Sequence, residues 1–250
     1  MTMTLLGLHP VIAAGGGPVI PNFGGASNCV VSNQQFCFGW VKQNWSSVFQ
    51  PAIVQHVVLT LIAVGVGMLI AFTAALIAYK RSWFETPFSL FSAFLYTIPS
   101  LALFELLVQI TGINRLTAEI GLVSYTLLIL FRNTLTGLRA VPDATIEAAR
   151  AMGLTERQSL LRVEIPLAAP AIMAGIRIAT VTTISLATVA AYIGGGGLGA
   201  LIFNAIQSGF NTEFIAAGAL AVALAIIADV LLVLLQRLIT PWSRRRLAPG

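Results

Sequence analysis

Charged side chains are scarce in this sequence, and their scarcity excludes a soluble globular domain. Asp, Glu, Lys and Arg make up 9% of the 250 residues, whereas hydrophobic residues make up 57%. A soluble domain carries roughly a quarter charged residues. The apolar runs are long enough to cross a bilayer, which takes about 20 residues each. The composition therefore predicts an all-α integral membrane protein.

The sequence also lacks the patterns of nucleotide, metal and nucleic-acid sites. It contains no G-x-x-x-x-G-K-[ST] loop, because the glycine run at residues 194–197 has no lysine after it. Two isolated cysteines make a poor metal site, and no basic patch is interleaved with aromatic residues. The net charge of +5 comes from basic residues placed where a membrane protein needs them. We expect no catalytic residue, metal or nucleic acid on this chain.

Cysteine is rare, and both cysteines precede the first apolar run. Residues 1–50 are rich in Gly, Pro, Asn and Ser, which is typical of a loose extension, and Trp40 and Trp45 near its end indicate an interfacial segment. If this extension lies outside the cell, Cys29 and Cys37 are in an oxidising compartment. A disulfide between them and two free thiols are then both open.

Five apolar runs predict five membrane spans within residues 51–242. The runs cover approximately residues 53–79, 87–110, 120–138, 167–193 and 214–238. Pro99 lies inside the second run and predicts a kink, because proline removes a helical hydrogen bond. The kink, with Tyr96 and Ser100 beside it, is either a harmless feature of a packed helix or part of a translocation pathway.

Polar groups at membrane depth are the other candidates for function. Asn133 lies in the unusually polar second half of the third run and needs a partner helix or water. Arg177 and Asp229 lie deep in the fourth and fifth runs, where they pair with each other or Arg177 reaches the surface. A glycine-rich loop follows the fourth run, either as a plain flexible loop or as an external lid against a neighbouring subunit. Its residues include Gly194, Gly195, Gly196, Gly197 and Gly199.

The longest polar passage of the chain, residues 141–166, separates the third and fourth runs. Pro142 suits the first turn of a short helix, and Gly153 offers the left-handed conformation that ends it. A capping box that begins at Thr155 predicts a second short helix, which Pro166 closes. The passage therefore predicts a helix–turn–helix between two membrane spans.

This helix–turn–helix resembles the EAA motif of the permease subunits of bacterial ABC importers. That pattern is E-A-A, three residues, G, nine residues, and then I-x-L-P, and the spacing matches throughout. The resemblance implies that the element lies in the cytoplasm and docks on an ATPase subunit. The residues that match are Glu147, Ala148, Ala149, Gly153, Val163, Ile165 and Pro166, with Val163 and Ile165 as conservative replacements.

Further stretches resemble the osmoprotectant branch of these permeases, over about residues 50–242. They are LYTIPSLALF, LLILFRNTLTGLRAVP, IPLAAPAIMAGIRIAT and IGGGGLGALI, which begin at residues 95, 127, 165 and 193. The resemblance implies a type I ABC importer permease: five transmembrane helices with a cytoplasmic coupling helix–turn–helix between helices 3 and 4. It also implies transport of a compatible solute such as glycine betaine, choline or carnitine.

The resemblance further implies the partners of the chain in a bacterial cytoplasmic (inner) membrane. They are two cytoplasmic ATPase subunits, which use ATP and Mg, a second permease that is a copy or a paralogue, and an external substrate-binding protein. The chain itself is then not an enzyme and binds no cofactor. An N-terminus outside the cell places most basic residues in the cytoplasm, including the tail at residues 243–250.

Three other functions remain open at the level of sequence. The chain is a permease for another small solute, such as an amino acid or a phosphonate; a stand-alone secondary carrier or channel; or a membrane enzyme. We find no internal repeat of the kind that many secondary carriers contain. An enzyme needs a cluster of catalytic polar residues, and the one dense polar stretch, residues 141–166, has neither His nor Cys.

Overall fold

The computed structural model describes residues 28–241, and within that range the chain is helical and contains no β-strand. Residues 1–27 and the predicted basic tail at residues 243–250 lie outside the described range. The α-helices are α1 (Asn28–Val31), α2 (Phe38–Gln43), α3 (Gln50–Lys80), α4 (Ser82–Thr97), α5 (Ser100–Thr111), α6 (Arg115–Arg139), α7 (Asp143–Ala151), α8 (Glu156–Ser159), α9 (Ile165–Ala190), α10 (Gly197–Ser208) and α11 (Asn211–Ile239).

Four helical stretches of the described residues are long and apolar enough to cross a membrane, or five if a bent pair counts as one span. The four contain α3, α6, α9 and α11, and they correspond to the first, third, fourth and fifth predicted spans. The bent pair is α4 with α5. The predicted all-α membrane fold is therefore confirmed.

The second predicted span is broken rather than kinked, because α4 and α5 meet at 101°. Pro99 has no N–H to donate, and its ring pushes the preceding residue out of the helical region. Ile98 accordingly has an extended backbone, with φ −67° and ψ 129°. Its carbonyl group accepts a hydrogen bond from the hydroxyl of Tyr125. A side chain of α6 thus satisfies the group that the break exposes.

Helix α6 is the centre of the bundle and packs against α3, α4, α5 and α9. Small residues let the helix backbones approach closely, as is common between membrane helices. A Cβ atom on Gly137 of α6 would lie 2.9 Å from the Cβ of Ala171 in α9. On the other side, buried alanines of α3 such as Ala71 and Ala75 pack against Phe131 of α6. Larger side chains at these contacts would separate the helices.

The fourth span begins earlier than predicted, because Pro166 does not end the second short helix. Residues Leu160–Glu164 form a π turn that joins α8 to α9 without a break. Within this turn the N–H of Ile165 donates to the carbonyl of Leu160, five residues back. Pro166 then occupies the first turn of α9, where its missing N–H is tolerated. The prediction of a closing proline was wrong.

The predicted glycine loop after the fourth span is also shorter than expected. Its loop portion is a tight turn at Gly194–Gly196, and the chain then forms the 12-residue helix α10. Gly199, which was placed in the loop, lies inside α10. The apolar run after Gly197 makes a helix because it can pack against α3, α9 and α11.

A small cap, residues 28–43, packs on the opposite side of the bundle from α7 and α8. A disulfide joins Cys29 and Cys37, whose Cα atoms are 5.9 Å apart. The cap is bound to the corner between α10 and α11: Asn33 donates to the carbonyl of Gly209 at 2.7 Å, and the N–H of Cys37 donates to Thr212 at 3.0 Å. Residues that the sequence assigned to a loose extension are thus anchored to the last two helices.

We expect Cys29→Ser to loosen this cap without unfolding the bundle. A disulfide that closes so short a loop contributes about 2–3 kcal/mol, and that energy bears on the cap alone. The variant should leave one reactive thiol, whereas the unchanged protein should label only after reduction. Gel mobility and thiol labelling with and without reductant measure both. Labelling of the unchanged, unreduced protein would contradict the disulfide.

Candidate functional site

The element between the third and fourth spans is a two-helix protrusion, α7 and α8, whose turn is closed by backbone hydrogen bonds. Gly153 has φ +84°, a left-handed conformation that residues with a Cβ atom resist. Its N–H donates to the carbonyl of Arg150, and the N–H of Leu154 donates to that of Ala149. These two bonds form a Schellman motif, which ends α7. The predicted helix stop at Gly153 is present.

The start of α8 is closed by side chains instead. The N–H of Gln158 donates to the hydroxyl of Thr155, and the side-chain carbonyl of Gln158 accepts from the N–H of Thr155. The predicted capping box is therefore present. With both ends of the turn closed by hydrogen bonds, the protrusion has a defined shape, as a docking surface requires.

The predicted docking residues point in two directions. Glu147, Ala148 and Gly153 are exposed, whereas Ala149 is buried against the protein itself. Val163, Ile165 and Pro166 are half-buried at the base of the protrusion. Between these groups Met152 leaves 72% of its surface exposed at the tip. The protrusion thus presents an apolar tip beside a carboxylate, with its base packed on the bundle.

The base of the protrusion packs on the spans and is braced by a local hydrogen bond. Leu160 is buried with Leu138 of α6 and with Ala168 and Ile172 of α9. The buried carboxylate of Glu164 accepts a hydrogen bond from Ser159 at 2.9 Å. Because α8 continues directly into α9, a force on the protrusion acts on the fourth span without an intervening loop.

The candidate pathway residues occupy separate places. Tyr96 lies at the break between α4 and α5 and packs edge-on against Tyr125, with ring centroids 5.9 Å apart. Pro99 is exposed at the same break, and Ser100 begins α5. Asn133 lies elsewhere: its amide donates to the carbonyl of Ile129 in its own helix, and it packs against Gly175 of α9.

The glycine turn packs against α3 of the same chain. The side-chain carbonyl of Gln55 accepts from the N–H of Gly197 at 3.0 Å. His56 is fully buried behind it and contacts the carbonyl of Ile184 in α9 at 3.0 Å. A Cβ atom on Gly197 would lie 2.9 Å from the ring of His56. The close backbone approach that these glycines permit is therefore to α3 of the same chain.

The two deep charges form an ion pair. Arg177 donates to both carboxylate oxygens of Asp229, at 2.9 and 3.1 Å. Of the two possibilities that the sequence left open, pairing is the one observed. The pair ties α9 to α11 near the middle of α9, about 18 Å from either end at 1.5 Å per residue.

Comparison with known proteins decides the family. The family described as "binding-protein-dependent transport system inner membrane component" matches residues 63–245, well over half of the chain. The chain belongs to this family of permeases. The permease is therefore a transport component of a membrane system and not a catalytic subunit.

Two relatives resemble the permease over most of their length. The osmoprotectant import permease protein OsmW of Salmonella typhimurium is 41% identical over 197 residues, which cover 76% of the permease and 91% of OsmW. The glycine betaine/carnitine/choline transport system permease protein OpuCB of Bacillus subtilis is 36% identical over 188 residues, 75% of the permease and 86% of OpuCB.

A solved structure supports the fold. The permease matches a chain of the MetNI methionine ABC transporter, in an inward-facing conformation, with a TM-score of 0.68. The match covers 80% of the permease and 98% of that chain at 20% identity. It shows that the permease has the fold of type I ABC importer permeases, as the sequence predicted.

Sequence reasoning missed the residues that hold the glycine turn in place. Gln55 and His56 were not singled out as its partners, although each is a polar residue at the start of an apolar run. A polar side chain at such a position requires a hydrogen-bond partner. The sequence thus contained a signal that Gln55 needs a partner, but not that the partner is Gly197, more than a hundred residues away.

Proposed function

We propose that the permease is the membrane subunit of an ATP-binding-cassette importer for a compatible solute such as glycine betaine, choline or carnitine. The observation that carries this proposal is the exposed protrusion between α6 and α9, which has the spacing of the EAA motif. Its apolar tip at Met152 and its hydrogen-bonded turn at Gly153 suit a partner's groove. The similarity to OsmW, an osmoprotectant import permease, and to OpuCB, a permease of a glycine betaine/carnitine/choline transport system, supports the choice of solute.

The protrusion receives a cytoplasmic ATPase subunit, and two such subunits serve a pair of permeases. Glu147, Ala148 and Gly153 contact the ATPase, while Ala149 and the half-buried residues of the base transmit its movement into α9. ATP and Mg are used by the ATPase subunits. An external binding protein delivers the solute to the opposite face. The pathway is bordered by the broken span at Tyr96, Pro99 and Ser100, by Asn133 and by the glycine turn.

The distribution of charge supports an N-terminus outside the cell. Lys80, Arg81 and Arg139 end the helices that reach the protrusion side, and Arg150 and Arg157 lie on the protrusion itself. Positive charge next to spans favours the cytoplasmic side. This orientation exposes the protrusion to the compartment that contains ATP.

The test is the ATPase activity of the complex that co-purifies with the permease, reconstituted with its binding protein. We expect glycine betaine, choline or carnitine to stimulate hydrolysis, and unrelated solutes not to. Stimulation by an amino acid or a phosphonate alone would retain the importer and reject the osmoprotectant. If no ATPase co-purifies, while the permease alone transports solute, the protrusion is not a docking element and a stand-alone carrier is favoured.

A further inference from the structure

An open cavity of about 470 Å³ lies between the end of α3 and α8, on the side of the bundle that carries the protrusion. Three cations, Lys80, Arg81 and Arg157, line the cavity, and most of its other lining residues are apolar. The apolar side chains include Leu76, Ile77 and Leu161.

None of the described residues that line the cavity is acidic, so its wall contains no counter-charge for the three cations. The ion pairs found among residues 28–241 join Arg139 to Glu85 and Arg177 to Asp229. Three like charges around one cavity give it a positive potential, which attracts anions. The positive charge of the cavity thus favours the binding of an anionic ligand.

The position of the cavity relative to the bilayer indicates which kind of anion binds there. Ile77 lies within one helical turn of Lys80, so the apolar wall and the cations are about 5 Å apart along α3. This spacing matches the boundary between the hydrocarbon core of a bilayer and its head groups, a region about 5–7 Å thick on each side. Trp83 is exposed just beyond Arg81, and tryptophan is enriched at that boundary.

We infer that this cavity binds an anionic phospholipid. The head-group phosphate lies among Lys80, Arg81 and Arg157, and an acyl chain lies along Ile77 and Leu161. Because Lys80 belongs to the end of the first span and Arg157 to α8, one lipid bridges the first span and the docking protrusion. The site lies beyond the proposed solute function and needs neither the ATPase nor the binding protein to form.

The experiment uses the full-length permease in nanodiscs of phosphatidylcholine with a small fraction of photoreactive phosphatidylglycerol. Lys80→Gln and Arg157→Gln each remove one cation from the cavity. Each should weaken the labelling affinity about fivefold, and the double variant about 25-fold, from the usual contribution of a basic residue at an anionic surface. Arg162→Gln is the matched control, because it removes the same charge from an exposed position outside the cavity wall; its labelling should equal that of the unchanged protein.

Three results of the labelling experiment would overturn the inference. The first is equal labelling of the double variant and the unchanged permease. The second is an equal loss in the Arg162→Gln control, which would indicate general charge rather than a site. The third is competition by millimolar inorganic phosphate as effective as competition by phosphatidylglycerol, which would assign the cavity to a free anion. Since the labelling experiment contains no ATPase, failure of the proposed transport function would not change these three outcomes.

The ATPase could contact the same three cations in place of a lipid. A second arm of the experiment distinguishes these two occupants. In nanodiscs of phosphatidylcholine alone, the double variant should bind the ATPase as tightly as the unchanged permease. A loss of ATPase binding in this arm, which contains no anionic lipid, would place the three cations in the protein interface and reject the lipid site. Mapping of the crosslinked peptide to residues 73–81 or 157–161 supports the site directly.

Discussion

Replacing Gly153 with valine is expected to leave the permease inserted in the membrane and to reduce solute uptake sharply. Gly153 adopts φ +84°, where a residue with a Cβ atom costs about 1–2 kcal/mol, and a β-branched residue more. That energy lowers the equilibrium constant for the closed turn about tenfold, since about 1.4 kcal/mol corresponds to a factor of ten. Uptake and solute-stimulated ATP hydrolysis, measured on equal amounts of inserted protein, should fall together, by up to this factor.

The reason for a large effect lies in the backbone and not in crowding. No described heavy atom lies within 4 Å of the Cβ position of Gly153, so valine meets no clash and strains only the turn. The strained turn opens the bonds from Gly153 to Arg150 and from Leu154 to Ala149. Met152 at the tip then loses the direction that the Schellman motif gives it.

Two controls separate docking from general damage. Gly153→Asn should retain most of the uptake, because asparagine tolerates the left-handed conformation better than other residues. Gly209→Val introduces the same kind of strain at φ +68° with no heavy atom within 4 Å, but at the corner between α10 and α11. Equal losses in Gly153→Val and Gly209→Val would mean that strain alone, and not the docking turn, explains the result.

The spans and the protrusion were predictable because their signals are local. Apolar runs report burial in lipid within about 20 residues, and the caps of α7 and α8 depend on residues such as Gly153 and Thr155 within one turn. The disulfide and the Arg177–Asp229 pair could be named as possibilities, because each involves few candidates. The sequence could not decide between a disulfide and free thiols, or between an ion pair and an arginine that reaches the surface.

The remaining features depend on contacts between distant residues. The sequence predicted a kink at Pro99, but the angle of 101° between α4 and α5 depends on where α6 holds the break, through Tyr125 and Ile98. Likewise, Gly197 and Gly199, which begin α10, were expected in a loop, and glycines weaken helix propensity. The packing of α10 against α3, α9 and α11 outweighs that weakness, and no local pattern reports such packing.

The second large effect is expected at the ion pair between Arg177 and Asp229. Asp229→Asn leaves Arg177 charged and unpaired at membrane depth, where an isolated charge costs about 3 kcal/mol on insertion scales. We expect the variant to accumulate in the membrane at several-fold lower levels, with a lower melting temperature in detergent. The double variant Arg177→Gln with Asp229→Asn should recover most of the loss, because neither side chain is then charged.

An ion pair at the membrane surface provides the matched control. Arg139 donates to Glu85 at 2.8 Å with 47% and 31% of the two side chains exposed, near the ends of their helices. Glu85→Gln should change accumulation little, because water and head groups solvate the arginine that remains. If Asp229→Asn also behaves like the unchanged permease, Arg177 reaches water from its position in α9.

The partial exposure of the Arg177–Asp229 pair bears on how the permease assembles with a second subunit. In the single permease 32% and 37% of the two side chains are accessible, yet an ion pair at this depth is poorly tolerated in contact with lipid. We therefore expect a second permease or an aqueous pathway to cover it. If a second permease covers the pair, Asp229→Asn should also reduce crosslinking between permease copies. If an aqueous pathway covers it, cysteines introduced beside the pair should react with water-soluble reagents. Recovery of accumulation without recovery of uptake in the double variant would then show that the charges serve transport as well as folding.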